Sequence, residues 1–171
     1  AVVDGGPIVG VKFTSSRDIV AATVTEMRIF KIVPRPEETG RVSGCFDKCA
    51  KFEVFGFLCA IACGSDKVVI VDMHANVIAR EISVLANVTS MAFSDGGRWL
   101  AVGTSDKCMQ IYDIPTASVV DYVQFENAVS GIHFRKNNTE IVTVHSTTVG
   151  VRVWQNIALL EGKALEPVDI A

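Results

Sequence analysis

The sequence predicts an all-β protein in which one small antiparallel sheet recurs about four times. Two markers support this, and no stretch shows a convincing helical period. The first marker is the phenylalanine that ends a stretch of the form apolar-x-Phe. It occurs at Phe13, Phe52, Phe93 and Phe134, with intervals of 39, 41 and 41 residues. The second marker closes another strand-like stretch at Phe30, Val71, Tyr112 and Trp154, with intervals of 41, 41 and 42 residues. Because both markers give one period, the chain contains an internal repeat.

Each repeat contains the same elements in the same order. The first strand ends near the marker phenylalanine, and a polar turn such as "SSRD", "SDGG" or "RKNNTE" follows it. The second strand is rich in β-branched and small apolar residues, as in "IVAATV", "LCAIAC", "WLAVGT" and "EIVTVH". The third strand contains the second marker, as in "MRIFK", "VVIVD", "MQIYD" and "VRVWQ". Turn residues separate these stretches, which favours antiparallel neighbours.

A weaker fourth strand completes the repeat. The pattern predicts this strand over 76–83 and 118–125, and in the last repeat over "GKALEPV". In the first repeat it is obscured by a loop that contains Pro34, Pro36 and Gly40.

Four short antiparallel strands with this period are typical of a β-propeller blade. A single blade cannot bury both faces, so it must stack on neighbours. The predicted blades cover residues 6–44, 45–86, 87–127 and 128–168, and the whole chain, residues 1–171, is interpreted as a partial propeller. We expect these to be about four blades of a larger, seven-bladed ring, with a closed four-bladed ring as the alternative. The first residue is Ala rather than Met, which agrees with a chain cut from a longer one.

Composition and charge exclude several classes of function. The chain is 49% apolar and 20% charged, so it can bury a sizeable core. Its formal net charge is -3, and the longest basic cluster is Arg135-Lys136, which predicts at most sparse contact with nucleic acid. The longest apolar run, residues 54–63, is too short to span a bilayer, so no membrane association is expected.

The cysteines have a spacing that invites a zinc interpretation, C-x3-C-x9-C-x3-C, followed by one more. Strand geometry argues against it, because Cys59 and Cys63 on one strand would lie about 13 Å apart. Two sulfurs on one zinc ion are at most about 4.6 Å apart. We therefore expect no metal site and interpret the cysteines as buried free thiols. They are Cys45, Cys49, Cys59, Cys63 and Cys108.

Catalytic and cofactor motifs are absent from the sequence. The three histidines, His74, His133 and His145, accompany no G-x-S-x-G nucleophile motif, and "DGG" at 95–97 is a turn and not a phosphate-binding loop. Asp66 and Asp106 each follow Ser in a Ser-Asp-Lys turn, where a carboxylate usually caps backbone N–H groups. The sequence therefore predicts no enzyme and no cofactor.

Some turn and linker residues are candidates for contact with protein partners. They precede the first strand of a blade or lie between its second and third strands, and these two places share one edge of a blade. The candidates are Lys67, Asn87, Lys107, Glu126, Asn127 and His145. Trp154 is expected in the core, whereas Trp99 is equally compatible with core and surface.

The period, with Tyr112-Asp113 and Trp154 at the position of the WD dipeptide, resembles the WD-repeat family. The Gly-His pair that usually opens such repeats is missing, and the Asp-His-Ser-Trp hydrogen-bond network that it supports is expected to be missing too. The order of "MAFSDGGRWL", "YDIPTASVVDY" and "GVRVWQNIAL" resembles the last blades of the second propeller in a family of U-three snoRNA-associated proteins. The resemblance covers about residues 45–160.

That family belongs to the UTP-B subcomplex of the small-subunit processome. The resemblance implies a non-catalytic scaffold for protein–protein interaction in small-subunit rRNA processing and ribosome biogenesis, located in the nucleolus of the nucleus. Its partners would be other UTP-B proteins in a ribonucleoprotein context with snoRNA and pre-rRNA, with direct RNA contact at most secondary. The alternatives are a generic WD-repeat adaptor in another complex, or a ligand-binding or enzymatic propeller. An open stack also leaves an apolar face at each end, so we expect the isolated chain to self-associate.

Overall fold

The computed structural model describes residues 6–14, 18–32, 34–43 and 48–156, and within these ranges it contains fifteen β-strands and no helix. No helix in the described part of the chain could therefore cross a membrane. The strands are β1 (Ile8–Phe13), β2 (Ile19–Thr23), β3 (Glu26–Lys31), β4 (Glu37–Ser43), β5 (Cys49–Phe55), β6 (Leu58–Cys63), β7 (Lys67–Asp72), β8 (Val77–Ser83), β9 (Val88–Phe93), β10 (Trp99–Thr104), β11 (Cys108–Asp113), β12 (Ser118–Gln124), β13 (Val129–Phe134), β14 (Glu140–His145) and β15 (Arg152–Gln155).

The strands form four antiparallel sheets in which every neighbour in sequence is a neighbour in space. Their orders are β1-β2-β3-β4, β5-β6-β7-β8, β9-β10-β11-β12 and β13-β14-β15, and we call them the first to fourth blades. The predicted all-β repeat is thus confirmed. The fourth strand predicted in "GKALEPV" lies outside the described residues. The predicted blade limits and the seven-bladed ring stay predictions.

Register fixes which residues are equivalent between blades. Phe13 lies opposite Ile19, which lies opposite the marker Phe30. In the second blade the marker Val71 lies opposite Cys59, and Cys59 lies opposite Val54. Val54 therefore occupies the position that Phe13 has in the first blade. The prediction that Phe52 is equivalent to Phe13 is therefore wrong by two residues. With Val54 in place of Phe52 the intervals become 41, 39 and 41 residues, so the spacing alone did not reveal the shift.

The displaced Phe52 fills space above a glycine in the first blade. A Cβ added to Gly10 would lie 2.9 Å from Cε1 of the Phe52 ring, which is closer than real Cβ contacts. A shift of two residues keeps a side chain on the same face of its strand, so Phe52 still points into the core. It is 7% exposed.

The chain divides into two compact units, Ala1–Val84 and Leu85–Ala171, each of which contains two blades. In unit 1, alternate residues of the first and second blades pack into one apolar core, as expected for half-buried strands. Lys12 also forms an ion pair with Glu53 across the two blades, with 2.5 Å between Nζ and Oε1. The core consists of Val20, Ala22, Met27, Ile29, Val42, Cys49, Phe52, Cys59, Ile61, Cys63, Val69, Val71 and Met73.

In unit 2, the third and fourth blades share a second core. Their first strands, β9 and β13, are joined by a hydrogen bond of 2.5 Å from the hydroxyl of Thr89 to the carbonyl oxygen of Val129. A Cβ on Gly103 would lie 3.0 Å from Cβ of Val129, so glycine permits this close approach. The core consists of Ala92, Ala101, Met109, Ile111, Val120, Phe125, Val129, Phe134 and Ile141.

Candidate protein-interaction surface

One edge of unit 2 brings together several of the candidate contact residues. The amide of Ser105, in the β10–β11 turn, donates to the carbonyl of Asn87 over 2.8 Å. The amide of Phe125 donates to the carbonyl of Lys107 over 2.9 Å. The linker before β9, the β10–β11 turn and the end of β12 are therefore held together by backbone hydrogen bonds.

The same arrangement recurs in the fourth blade. The amide of Ser146, just after β14, donates to the carbonyl of Ala128 over 2.9 Å. The hydroxyl of Thr147 donates to Oδ1 of Asn127 over 2.9 Å. We name this edge of unit 2 the unit 2 rim, and it consists of Asn87, Ser105, Asp106, Lys107, Glu126, Asn127, Ser146 and Thr147.

The side chains of the unit 2 rim carry charges of both signs. Lys107 and Glu126 are exposed, and so are Ser105 and Asp106. Oδ1 of Asp106 accepts a hydrogen bond of 2.5 Å from Thr104, so this carboxylate takes part in turn structure. Lys107 has a φ of 71°, a left-handed conformation that places it in the turn itself. The rim is thus a polar surface of mixed charge on a fixed backbone.

Lys67 of unit 1 occupies a different position from Lys107, although both follow Ser-Asp. Lys67 begins β7, lies opposite Cys63 and forms an ion pair of 3.6 Å with Glu81. By register its equivalent in the third blade is Cys108, which begins β11. The Ser-Asp-Lys segments are therefore offset by one residue. Although the two segments have the same sequence, the two lysines lie in different environments.

The structure corrects the prediction that His145 contacts a partner. Its side chain is 3% exposed and lies within unit 2. Nδ1 of His145 lies 3.1 Å from the carbonyl oxygen of Asn127, and Nε2 lies 2.9 Å from the hydroxyl of Thr143. Because a carbonyl only accepts, Nδ1 carries the proton and Nε2 accepts from the hydroxyl of Thr143. His145 is buried and hydrogen-bonded on both ring nitrogens, so it cannot serve as an exposed contact.

This histidine belongs to a hydrogen-bond network inside the fourth blade. Nε1 of Trp154 donates to the hydroxyl oxygen of Thr143 over 2.9 Å, which extends the chain to Trp154–Thr143–His145–Asn127. The ring of Phe125 packs against both aromatic members, with centroid distances of 4.6 Å to His145 and 5.3 Å to Trp154. This chain of hydrogen bonds has no Asp member, and His145 enters it from the end of β14 and not from a Gly-His pair. It therefore differs from the Asp-His-Ser-Trp network that was expected to be missing.

The third blade replaces this network by a shorter one. Tyr112 occupies the position of Trp154 and donates its hydroxyl to Oε1 of Gln110 over 2.6 Å. Tyr112 is 3% exposed, and burial raises the pKa of its phenol from 10.0 to about 12. This phenol is therefore held neutral and acts as a structural donor.

The opposite edge of unit 2 carries a second polar cluster, which sequence reasoning missed. The amide of Asn137 donates to Oδ2 of Asp95 over 2.9 Å, and Nδ2 of Asn138 donates to the carbonyl of Asp95 over 2.7 Å. These bonds join the β9–β10 turn to the β13–β14 turn. The sequence marked both segments only as turns, and no pattern in it indicates that they meet.

Asp113, the second residue of the Tyr-Asp pair, is also bound at that edge. Its carboxylate accepts hydrogen bonds of 2.7 Å from Nε of Arg98 and 2.9 Å from the hydroxyl of Thr116. Burial alone would raise the pKa of Asp113, but these hydrogen bonds and the charge of Arg98 outweigh it and lower the pKa. The carboxylate stays ionised and fixes the β11–β12 turn.

The cysteines that the structure describes are buried free thiols, as the sequence suggested. Cys59 and Cys63 lie on one strand, β6, which is the arrangement that argues against a shared zinc ion. Burial raises the pKa of Cys49 from 9.0 to about 11 and raises that of Cys59 further. Among the described residues no three His, Cys, Asp or Glu side chains are grouped to hold a metal ion, and Cys45 lies outside them.

Trp99 and Trp154 line one apolar cavity of about 230 Å³ in unit 2, between the third and fourth blades. Both side chains pack against the core of that unit. The position of Trp99, which the sequence left open, is therefore at the core with partial exposure.

Repeated antiparallel blades of up to four strands define the chain as about four blades of a WD-type β-propeller. In the third and fourth blades the third strand carries an aromatic residue that is hydrogen-bonded inside the blade. The chain belongs to the family described as "Nucleolar protein 10-like, N-terminal domain", whose model matches residues 10–170.

Two relatives carry names that refer to a small nucleolar RNA. The chain is 31% identical to "U3 small nucleolar RNA-associated protein 21 homolog" of Schizosaccharomyces pombe, over 66% of this chain and 13% of that protein. It is 26% identical to "U3 small nucleolar RNA-associated protein 21" of Saccharomyces cerevisiae, over 66% of this chain and 12% of that protein. The chain thus spans about an eighth of the length of these relatives.

Solved structures confirm the fold. A chain of the computationally designed Ika4 protein superimposes with a TM-score of 0.75 at 13% identity, over 90% of this chain and 93% of that one. A chain of the mitotic checkpoint complex gives a TM-score of 0.74 at 14% identity, over 88% of this chain and 48% of that one.

Proposed function

We propose that this chain is a non-catalytic scaffold for protein–protein interaction in ribosome biogenesis, acting in small-subunit rRNA processing within the UTP-B subcomplex of the small-subunit processome. The match of residues 10–170 to a nucleolar protein family carries this proposal. The names of the two U3 small nucleolar RNA-associated relatives support it. The proposed location is the nucleolus.

The chemistry of the described side chains supports a binding role. The buried histidine of unit 2 serves the Trp154–Thr143–His145–Asn127 chain, and the buried carboxylate of Asp113 serves a turn. The thiols of Cys49 and Cys59 have raised pKa values, which disfavours the nucleophilic thiolate. His145 and Asp113 are thus engaged in structural hydrogen bonds, and burial disfavours ionisation of these two thiols.

The unit 2 rim is the surface we assign to protein partners. Its loops are fixed by backbone hydrogen bonds, so little ordering entropy is lost when a partner binds. Exposed Lys107 and Glu126 offer charges of both signs, and complementary charges on a partner would favour the correct orientation. A surface of mixed charge suits a protein better than a polyphosphate.

The proposal is tested by purifying the tagged chain from cells with a small-subunit processome, with and without RNase. We expect UTP-B proteins to co-purify in both samples and U3 RNA only without RNase, and we expect fluorescence microscopy to show the tagged chain in the nucleolus. The double variant Lys107→Glu, Glu126→Lys should lose the proteins. Lys136→Glu, an exposed lysine at the opposite edge, is the matched control.

Absence of UTP-B proteins from the wild-type sample would overturn the assignment to this subcomplex. Rim-dependent recovery of other proteins alone would favour the WD-repeat adaptor of another complex. Retention of UTP-B proteins by the double variant would show that the rim is the wrong surface.

A further inference from the structure

The first blade exposes an apolar face on the side away from the second blade. Phe13 is 72% exposed, Val11 53% and Ile8 52%, although all three lie on β1. Ile8, Val11, Ile19 and Phe30 line a groove of about 300 Å³ on this face. Large apolar side chains clustered at this exposure mark an interaction surface.

Register identifies what this face is built to contact. Val11 lies opposite Ala21, and by register it is equivalent to Phe52, which packs into the core of unit 1 against the first blade. Ile19 is likewise equivalent to Cys59, which is in the same core. The exposed face of the first blade is therefore the face by which a blade packs onto the blade before it.

The fourth blade exposes an apolar face of the complementary kind. Val144 is 41% exposed, Val151 63% and Val153 59%. Val144 and Val153 are equivalent by register to Ala22 and Ile29. Ala22 and Ile29 belong to the core of unit 1, where they face the second blade. The fourth blade therefore presents the face by which a blade packs onto the blade after it.

One glycine marks the place on the fourth-blade face where the next blade would pack. In unit 1 the ring of Phe52 occupies the space above Gly10, which pairs with Ala22. Gly131 pairs with Val144 and is the equivalent of Gly10 in the fourth blade. A Cβ on Gly131 would meet nothing closer than 3.8 Å, so the space above it is open. The equivalent of Phe52 on the other exposed face is Val11.

We propose that two copies of this chain associate head to tail, with the first-blade face of one copy packed on the fourth-blade face of the other. In this contact Val11 of one copy lies over Gly131 of the other. For the 171-residue chain on its own, a second copy is the occupant, because one chain carries both halves of a blade–blade contact that unit 1 already forms internally. This contact is heterologous, since each copy contributes a different face.

The association is measured by light scattering of the purified 171-residue chain, from micromolar concentration upward. We expect dimers or larger species for the wild type and monomers for Val11→Lys and for Gly131→Phe. A Cβ at Gly131 would lie 3.8 Å from its nearest neighbour, which is an ordinary contact, and circular dichroism checks the fold of each variant. Leu85→Lys is the matched control, because Leu85 is 70% exposed and belongs to neither face, and it should associate like the wild type.

Mixing the two variants tests the head-to-tail arrangement directly. Val11→Lys retains an intact fourth-blade face, and Gly131→Phe retains an intact first-blade face. The mixture should therefore give a one-to-one dimer and nothing larger. A monomeric wild type would overturn the proposal, and so would association of Gly131→Phe alone at wild-type strength, because that result would indicate a symmetric contact between first-blade faces.

Discussion

Thr143 connects the two aromatic members of the fourth-blade network, and its hydroxyl both accepts from Trp154 and donates to His145. We expect Thr143→Val, which keeps the shape of the side chain, to lower the free energy of unfolding by about 1–3 kcal/mol, because it leaves Nε2 of buried His145 and Nε1 of half-buried Trp154 without this partner. Urea denaturation followed by tryptophan fluorescence measures the change. Thr147→Val, at an exposed hydroxyl, is the control, and an equal loss in both variants would contradict the role of the network.

Tyr112 gives the chain a pH dependence on the alkaline side. Its pKa is about 12 in the folded chain against an ordinary value of 10.0, so the unfolded chain loses this proton first as pH rises. The contribution is fully present below pH 10 and is lost as pH rises through 12, by about 3 kcal/mol in total. We expect Tyr112→Phe to remove this part of the decline in stability. Thermal or urea unfolding between pH 9 and pH 12 measures it, and equal slopes for variant and wild type would contradict it.

At the scale of single residues the sequence predicted part of the chemistry. The buried thiols could be predicted from the sequence, because Cys59 and Cys63 lie among apolar residues in one short strand. The role of His145 did not follow, because its two hydrogen-bond partners come from β14 and from the linker before β13, and the distance between them depends on the folded sheet. Side-chain networks of this kind are set by tertiary structure.

At the scale of strands, the contact of β1 with β5 depends on Gly10. A Cβ at this position would lie 2.9 Å from the ring of Phe52, so Gly10→Ala forces the ring to move. We expect a loss of about 1–3 kcal/mol in the free energy of unfolding, the usual range for overpacking a core. Chemical denaturation measures it for Gly10→Ala, for Gly131→Ala at the equivalent open position, and for the double variant Gly10→Ala, Phe52→Leu.

The control Gly131→Ala should change stability little, since its nearest neighbour is 3.8 Å away. The smaller side chain at residue 52 should reduce the penalty of Gly10→Ala in the double variant. Equal effects of the two glycine substitutions would show that backbone conformation, and not contact with the ring, determines the loss.

Most strands could be predicted from the sequence, because period and alternation are local properties. The sequence predicted less well which residues of different blades are equivalent, as Phe52 shows, because a two-residue shift leaves the alternation of faces unchanged. The hydrogen bonds of Asp95 with Asn137 and Asn138 were not predictable at all, because they join turns about one full repeat apart. Element types thus follow from sequence, and contacts between elements require the structure.

At the scale of the whole chain, charge argues against RNA as the main partner. The sequence has 16 lysines and arginines against 19 aspartates and glutamates. Several of these cations are already paired, such as Lys12 with Glu53, Arg98 with Asp113 and Arg135 with Glu140. The chain therefore carries no net excess of cations for the release of counterions from a phosphate backbone.

We accordingly expect the purified chain to bind a single-stranded RNA of about 30 nucleotides only weakly, with a dissociation constant above about 1 µM at physiological salt. Each phosphate that a protein neutralises on a single strand adds about -0.7 to the slope of log affinity against log salt concentration, so this slope should be no steeper than about -2. Fluorescence anisotropy across a salt series measures both quantities. The variant Glu37→Lys, Glu38→Lys, which adds exposed cations at β4, should bind more tightly and with a steeper slope, and so shows that the assay detects phosphate contacts. Nanomolar binding by the wild-type chain with a steep slope would contradict the prediction and would make RNA a direct partner of these blades.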